Sequence, residues 1–182
     1  MFSIERVSQV RSSMFEIGDK VVHPYHGAGM VTDIEEKEFL EECGRYYVID
    51  LVACDGIVMV PIDNVQEIGL RRVSGRRVIS RAMDILASAP DTLSSDYKER
   101  QALVQEKLKT GDLISVTEVV RNLAWRNRQK GLTMSDNKLY QRAQTFLASE
   151  LALAKGIELQ EAMKQLQTAL NDEQLALTRD QF

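Results

Sequence analysis

The chain has 182 residues, of which 44% are hydrophobic and 27% charged, with a net charge of −4 at pH 7. This is the profile of a soluble globular protein with room for one large domain or two small ones. No apolar run approaches the roughly 18 residues that a membrane helix needs, and two cysteines, Cys43 and Cys54, do not make a disulfide framework, so a reducing cytoplasm is expected. The small net charge hides an asymmetry. Residues 14–73 hold 5 Lys+Arg against 12 Asp+Glu, whereas residues 74–155 hold 14 against 9. An acidic half joined to a basic half points to two domains with different partners. The basic half is either a phosphate-contacting surface or a solvated helical surface without a partner.

Residues 1–13 are Ser-rich and weakly patterned. They carry Glu5, Arg6 and Arg11 with no apolar stretch, so they do not read as a signal peptide. Met14 opens directly onto a strand pattern, which makes 1–13 an expected upstream extension. Ile17, Asp19 and Val21 alternate apolar and polar, and the chain then enters Pro24-Tyr-His-Gly27. Pro24 fixes φ, while Gly27 and Gly29 permit φ > 0. The reading is two strands with a tight connection. Val31–Ile34 continues as strand, and the charged segment 35–42 is expected to be a solvated hairpin tip. Residues 46–52 form a dense apolar strand. Asp55-Gly56 is a hairpin turn, 57–61 the return strand, and Val65–Ile68 a last short strand. Several short strands in this span predict a compact β-barrel.

Beyond Gly69 the apolar period changes from 2 to about 3.6. Val78, Ala82, Ile85 and Leu86 make one helix face, and Ala89-Pro90 breaks it. A second helix, capped by Ser95 or Asp96, carries Leu103, Val104 and Leu108 and ends at Thr110-Gly111. A third places Val116, Val119, Val120 and Leu123 inward, with Arg121, Arg126, Arg128 and Lys130 mostly outward. Thr133 caps a fourth helix over 136–155, and 158–170 is a fifth amphipathic stretch before a frayed tail. The expected organisation is therefore α+β. It has an N-terminal extension (1–13), a small β-barrel (14–70), a compact all-α unit (75–170) and a C-terminal tail (171–182).

No catalytic constellation stands out. His23 and His26 with Cys43 and Cys54 could be drawn as a zinc site, but the histidines need not converge and the cysteines form no C-x-x-C pair. Glu35-Glu36 and Glu41-Glu42 read as solvated charge. The chain has no Gly-rich phosphate loop or nucleophile elbow. A binding protein without a cofactor or metal is expected, not an enzyme.

The segment from Met14 through Gly29 resembles the opening of the CarD/CdnL family of bacterial transcription regulators. The resemblance implies a Tudor-like barrel over 14–70, which is also similar to the polymerase-interacting domain of the transcription-repair coupling factor. The resemblance continues through 58–65 and 67–70, then 118–123, 129–132 and 150–154. It implies that the barrel docks on the RNA polymerase β subunit by edge-strand pairing, and that the helical unit reaches promoter DNA at the upstream edge of the bubble. There an aromatic wedge and nearby cations favour the open complex. On this resemblance the polymerase-facing residues are Lys37, Ile57, Val58, Met59 and Val60. The DNA-facing residues are Tyr97, Lys98, Arg100, Arg121, Trp125, Arg126, Arg128 and Lys130. Tyr97 stands where most relatives carry Trp, Glu99 where a basic residue is common, and Met59 where relatives have a cation. Trp125 either packs within the helices or touches DNA. A monomer in the cytoplasm, associated with the nucleoid, is implied. The alternative is a polymerase-binding module without functional DNA contact.

Overall fold

A computed structural model of the protein describes residues 14–39 and 42–179. The expected extension 1–13 lies outside them. Five antiparallel strands form one sheet: β1 (Lys20–His23), β2 (Gly27–Phe39), β3 (Glu42–Leu51), β4 (Ile57–Pro61) and β5 (Arg71–Arg72), in the spatial order β4-β3-β2-β1-β5. The charged segment expected as a hairpin tip is mostly strand, because β2 pairs with β3 all the way from Gly29 to Phe39. Near its middle the register slips between Val31 and Asp33, leaving Thr32 as an extra residue. Such a bulge bends a strand and increases its twist, which curls this sheet around its own apolar face. That face packs Phe15, Val21, Val31, Tyr47, Ile49, Val60, Val65 and Leu70 together. The Tyr47 hydroxyl accepts the Phe15 N–H at 3.0 Å.

The segment Val65–Ile68, read as a strand from sequence, is a helical turn, α1, following a 3-10 turn at Ile62–Asn64. Gly69 ends it at φ +81°, with its N–H on the Val65 carbonyl, a left-handed closure that suits glycine. The final strand comes two residues later, as β5 pairs with β1 through Val21–Arg72 and Val22–Arg71.

The helical unit comprises α2 (Arg76–Leu86), α3 (Tyr97–Lys109), α4 (Leu113–Lys130), α5 (Met134–Lys155) and α6 (Leu159–Arg179). The last helix continues to Arg179 through most of the expected tail. Helix α2 buries Ile79, Ala82 and Leu86, while Val78 is exposed. Asp96 caps α3 by accepting the Lys98 and Glu99 amides, and Thr133 caps α5 by accepting the Asp136 amide.

The two units meet across β1 and β2, which carry one apolar cluster on each face. Side chains alternate faces along a strand, so Val21 points into the barrel, whereas Val22 and Ala28 join the helical core with Phe146, Leu147 and Leu151 nearby in the same cluster. Gly27 lies so close to α5 that a Cβ there would sit 2.9 Å from Ser149 Oγ, and its φ is +84°. The same Ser149 hydroxyl accepts the Ala28 amide at 3.0 Å. At the centre of this junction, Arg71 donates two bonds of 2.7 Å to the fully buried carboxylate of Glu150. Its Nε and Nη2 also reach the Gly111 carbonyl, and Ser74 N–H donates to Glu150 at 2.9 Å. Lys20 adds a bond to the Leu153 carbonyl.

His23 sits beside this junction. Its Nδ1 accepts the Tyr25 amide at 3.1 Å, and its ring lies 4.7 Å from that of His26. Burial, helped by the charge of His26, pushes its pKa down to about 4.

Removing one partner of a buried pair strands the other charge. Arg71→Met should therefore lower the unfolding free energy by about 3–5 kcal/mol in urea melts. A loss below about 1 kcal/mol would show that the junction does not depend on this fork. For His23 the native state holds the neutral ring and the unfolded chain takes up the proton first. Its contribution to stability is thus intact above pH ~6.5 and is lost as pH falls toward about 4. Chemical melts from pH 7 to 4 should show this fall, and His23→Gln should reduce it.

Candidate functional site

Short turns at Gly111 and Gly131 reverse the chain between α3 and α4 and again between α4 and α5. The beginning of α3, the end of α4 and the beginning of α5 therefore lie at one end of the helical unit. The Arg100–Asp136 pair ties the first turns of α3 and α5 together there. The opposite stretches, around Gly111 and Phe146–Leu153, are those that meet the sheet. Helix α5, at about 1.5 Å per residue, connects the two ends as a rod of roughly 33 Å.

Tyr97 occupies the first position of α3 and is 52% exposed. The Asp96 cap fixes the backbone beneath it, and Lys98 holds its ammonium 5.9 Å from the Tyr97 ring centre. The aromatic and its neighbouring cation thus face solvent as a unit. Lys130, at the end of α4, is exposed and makes no ion pair or hydrogen bond among the described residues.

Arg100 corrects the expectation of a phosphate contact. It is 1% exposed, donates to Asp136 at 2.8 Å, and reaches the Ser94, Ser95 and Asp96 carbonyls. A guanidinium offers a rigid planar set of donors, and here that set is turned inward, under the loop that leads into Tyr97. Burial raises the Asp136 pKa, but the bonds and charge of Arg100, with the Thr133 hydroxyl, outweigh this and hold it below the usual carboxylate value.

Arg121, expected outward with the α4 cations, is also buried. It donates to Ser88, Asp91 and Asn122 at 2.6–3.0 Å, and Asn122 in turn accepts the Asp91 amide. Its fork closes the loop between α2 and α3. Trp125 follows one turn later on the same side of α4 and is half-buried, as is Arg126. Arg128 is exposed, but one guanidinium nitrogen donates to the Leu170 carbonyl at 2.9 Å, tying α4 to α6. Helical periodicity puts Arg121, Arg126 and Arg128 outward, and the family resemblance adds Arg100. The missed signal was the Ser and Asp residues at 88, 91 and 136 that accept bonds from two of them. Met134, 79% exposed at the start of α5, was not anticipated at this end.

The second surface is the sheet edge. Strand β4 pairs only with β3 among the described residues, so half of its backbone groups face away from the sheet. Along it, Ile57 is 65% exposed, Val58 and Met59 are half-buried, and Val60 points into the barrel core. Val60 can therefore offer a partner its backbone but not its side chain. Lys37, two strands away, brings its ammonium to 3.4 Å from the Met59 sulfur and 3.1 Å from Glu35. The sheet thus joins the Lys37 and Met59 positions into one patch. Of the drawn zinc ligands, His23 and His26 converge. Cys54 lies exposed in the β3–β4 turn, and the Cys43 side chain is outside the described residues. No helix among the described residues is long and apolar enough to cross a membrane.

The buried and free cations should separate cleanly in thermal melts. Arg100→Ala strands Asp136 and should cost about 3–5 kcal/mol, whereas Lys98→Ala and Lys130→Ala should each stay within about 0.5 kcal/mol of the parent.

Residues 15–74 match the family model described as the CarD-like/TRCF RID domain, and residues 81–167 match the CarD C-terminal domain. The protein named "Putative transcription factor YdeB" of Bacillus subtilis (strain 168) is 38% identical over 144 residues. The match covers 79% of this chain and 94% of that protein.

Proposed function

This chain belongs to the CarD family, a family of transcription factors, and from that premise we propose a non-enzymatic, two-contact mechanism at the promoter. The β4 edge, with Ile57, Met59 and Lys37, docks on the β subunit of bacterial RNA polymerase. The α3–α4–α5 end of the helical unit meets promoter DNA at the upstream edge of the melted bubble. The observation that carries this reading is the arrangement of the two surfaces. A strand edge unpaired among the described residues belongs to the unit built on one apolar cluster, and an exposed aromatic–cation pair to the unit built on the other.

The chemistry follows from the residues. An incoming strand completes the backbone bonds that β4 leaves open, and exposed Ile57 adds apolar contact. Tyr97 acts as the wedge against a distorted base step. Lys98 and Lys130 contact flanking phosphates, which position the protein without reading sequence. Arg100 and Arg121 hold the loop and helix that carry Tyr97 and do not touch DNA. Because these contacts exist only when the duplex is opened and distorted, binding energy favours the open complex. The working unit is a monomer associated with the nucleoid, with a barrel over 14–70 and a helical unit over 75–170.

A second reading, a polymerase-binding module with no functional DNA contact, is favoured by one observation. Two of the expected DNA-facing arginines are paired internally with carboxylates. Open-complex lifetime with purified polymerase separates the two. Tyr97→Ala should shorten the lifetime several-fold. Lys98→Ala with Lys130→Ala should shorten it and flatten its salt dependence by about one counterion for each phosphate no longer neutralised. Unchanged lifetimes in both variants would select the second reading. Under either reading, Ile57→Glu should weaken capture by the β subunit by about tenfold, or ~1.4 kcal/mol.

A further inference from the structure

A groove of about 880 Å³ runs along α2 where it meets the end of α5, away from both surfaces above. Its floor is apolar, formed by Ile79, Met83 and Ala154, and its rim carries Arg76, Arg77 and Lys155. Met83 also lines a second depression of about 280 Å³ between α2 and α6, which ends on Ala169. The two depressions share Met83 as a common wall and are together called the trough.

Cations outnumber anions in the trough: Arg76, Arg77, Lys155 and Lys164 line it against Glu161. Arg76 and Arg77 are exposed and make no ion pair or hydrogen bond among the described residues. Lys155 donates to Gln165, which in turn donates to Glu161, so the far end is bridged across α5 and α6. Ile79 and Met83 stand one helical turn apart, and Ala169 extends the apolar line. That spacing matches the side chains a helix presents at i, i+4 and i+7.

We propose that this trough is a docking site for an acidic amphipathic helix of a protein partner. Its carboxylates would lie against Arg76 and Arg77 and its apolar side chains on Ile79, Met83 and Ala169. The adjacent pair Arg76 and Arg77 places the acidic end of the bound segment over the start of α2, with Lys164 as a single cation at the other end. A DNA duplex fits less well. Phosphates would leave the apolar floor without a counterpart, and the carboxylate of Glu161 lines the second depression. The proposal does not rest on the DNA contact of Tyr97.

The probe is a fluorescein-labelled helical peptide of about twelve residues, with Asp and Glu in its first half and Leu at i, i+4 and i+7, titrated into the full chain by anisotropy. Saturable binding is expected. It should be weakened at least about tenfold by Arg76→Glu with Arg77→Glu, and separately by Met83→Asp. Acidic residues in the first turn of α2 suit the helix dipole, so the double variant should keep its fold, checked by its melting temperature. A peptide of the same composition in scrambled order should bind more weakly. Absence of saturable binding, equal binding by the double variant or by the scrambled peptide, or displacement of the peptide by duplex DNA would each overturn the proposal.

Discussion

The structure depends on one buried charge. Glu150 lies on α5 with its carboxylate out of water, and taking such a group from water costs several kcal/mol unless it is paired with good geometry. The partner is Arg71, 79 residues earlier, on a strand of only two residues. That guanidinium also holds the Gly111 carbonyl, 40 residues away, while Ser74 N–H completes the carboxylate. Four segments of the chain are thereby fixed at a point: the last strand, the lead-in to α2, the α3–α4 turn and α5. Gly111 permits this approach only because it lacks a side chain. A Cβ would lie 2.9 Å from that of Pro24, and φ is +61°.

From that point the function-bearing geometry follows. Helix α5 is held against β1 and β2 by Val22, Ala28 and Ser149, and its far end carries Asp136, to which Arg100 anchors the start of α3. Tyr97 is therefore placed relative to the β4 edge through packed elements and two buried forks. A docking contact at one end can fix where an aromatic side chain meets another molecule at the other end without any moving element. The rigid forks of Arg71, Arg100 and Arg121 are used inside the protein, and the flexible cations Lys98 and Lys130 are left outside. The excess of basic residues in the helical half consequently overstates the charge it offers a partner.

Much of this was legible in the sequence. The switch from alternation to helical period after Gly69 marked the change from sheet to helices, and the Asp96 and Thr133 caps marked two helix starts. The Asp55-Gly56 turn located the β3–β4 hairpin. What could not be read depends on contacts between distant residues. Val65–Ile68 alternates well enough to pass for a strand, but Gly69 closes it as a helical turn. Charges at 35–38 concealed a strand whose partner, β3, supplies the backbone bonds. Arg100 and Arg121 sit at positions where a solvated cation is the ordinary expectation, and only Asp136, Ser88 and Asp91 turn them inward. The pairing of Lys37 with Met59 depends on sheet register, which local sequence does not specify.

The central claim is that the β4 edge and the Tyr97 end engage two different macromolecules in one assembly. A photocrosslinking residue placed at Ile57, and separately at Tyr97, in a purified polymerase–promoter open complex tests it most directly. The account predicts that the Ile57 probe attaches to the β subunit, and that the Tyr97 probe attaches to DNA at the upstream edge of the bubble. Attachment of the Tyr97 probe to protein alone, or of the Ile57 probe to anything but β, would contradict it.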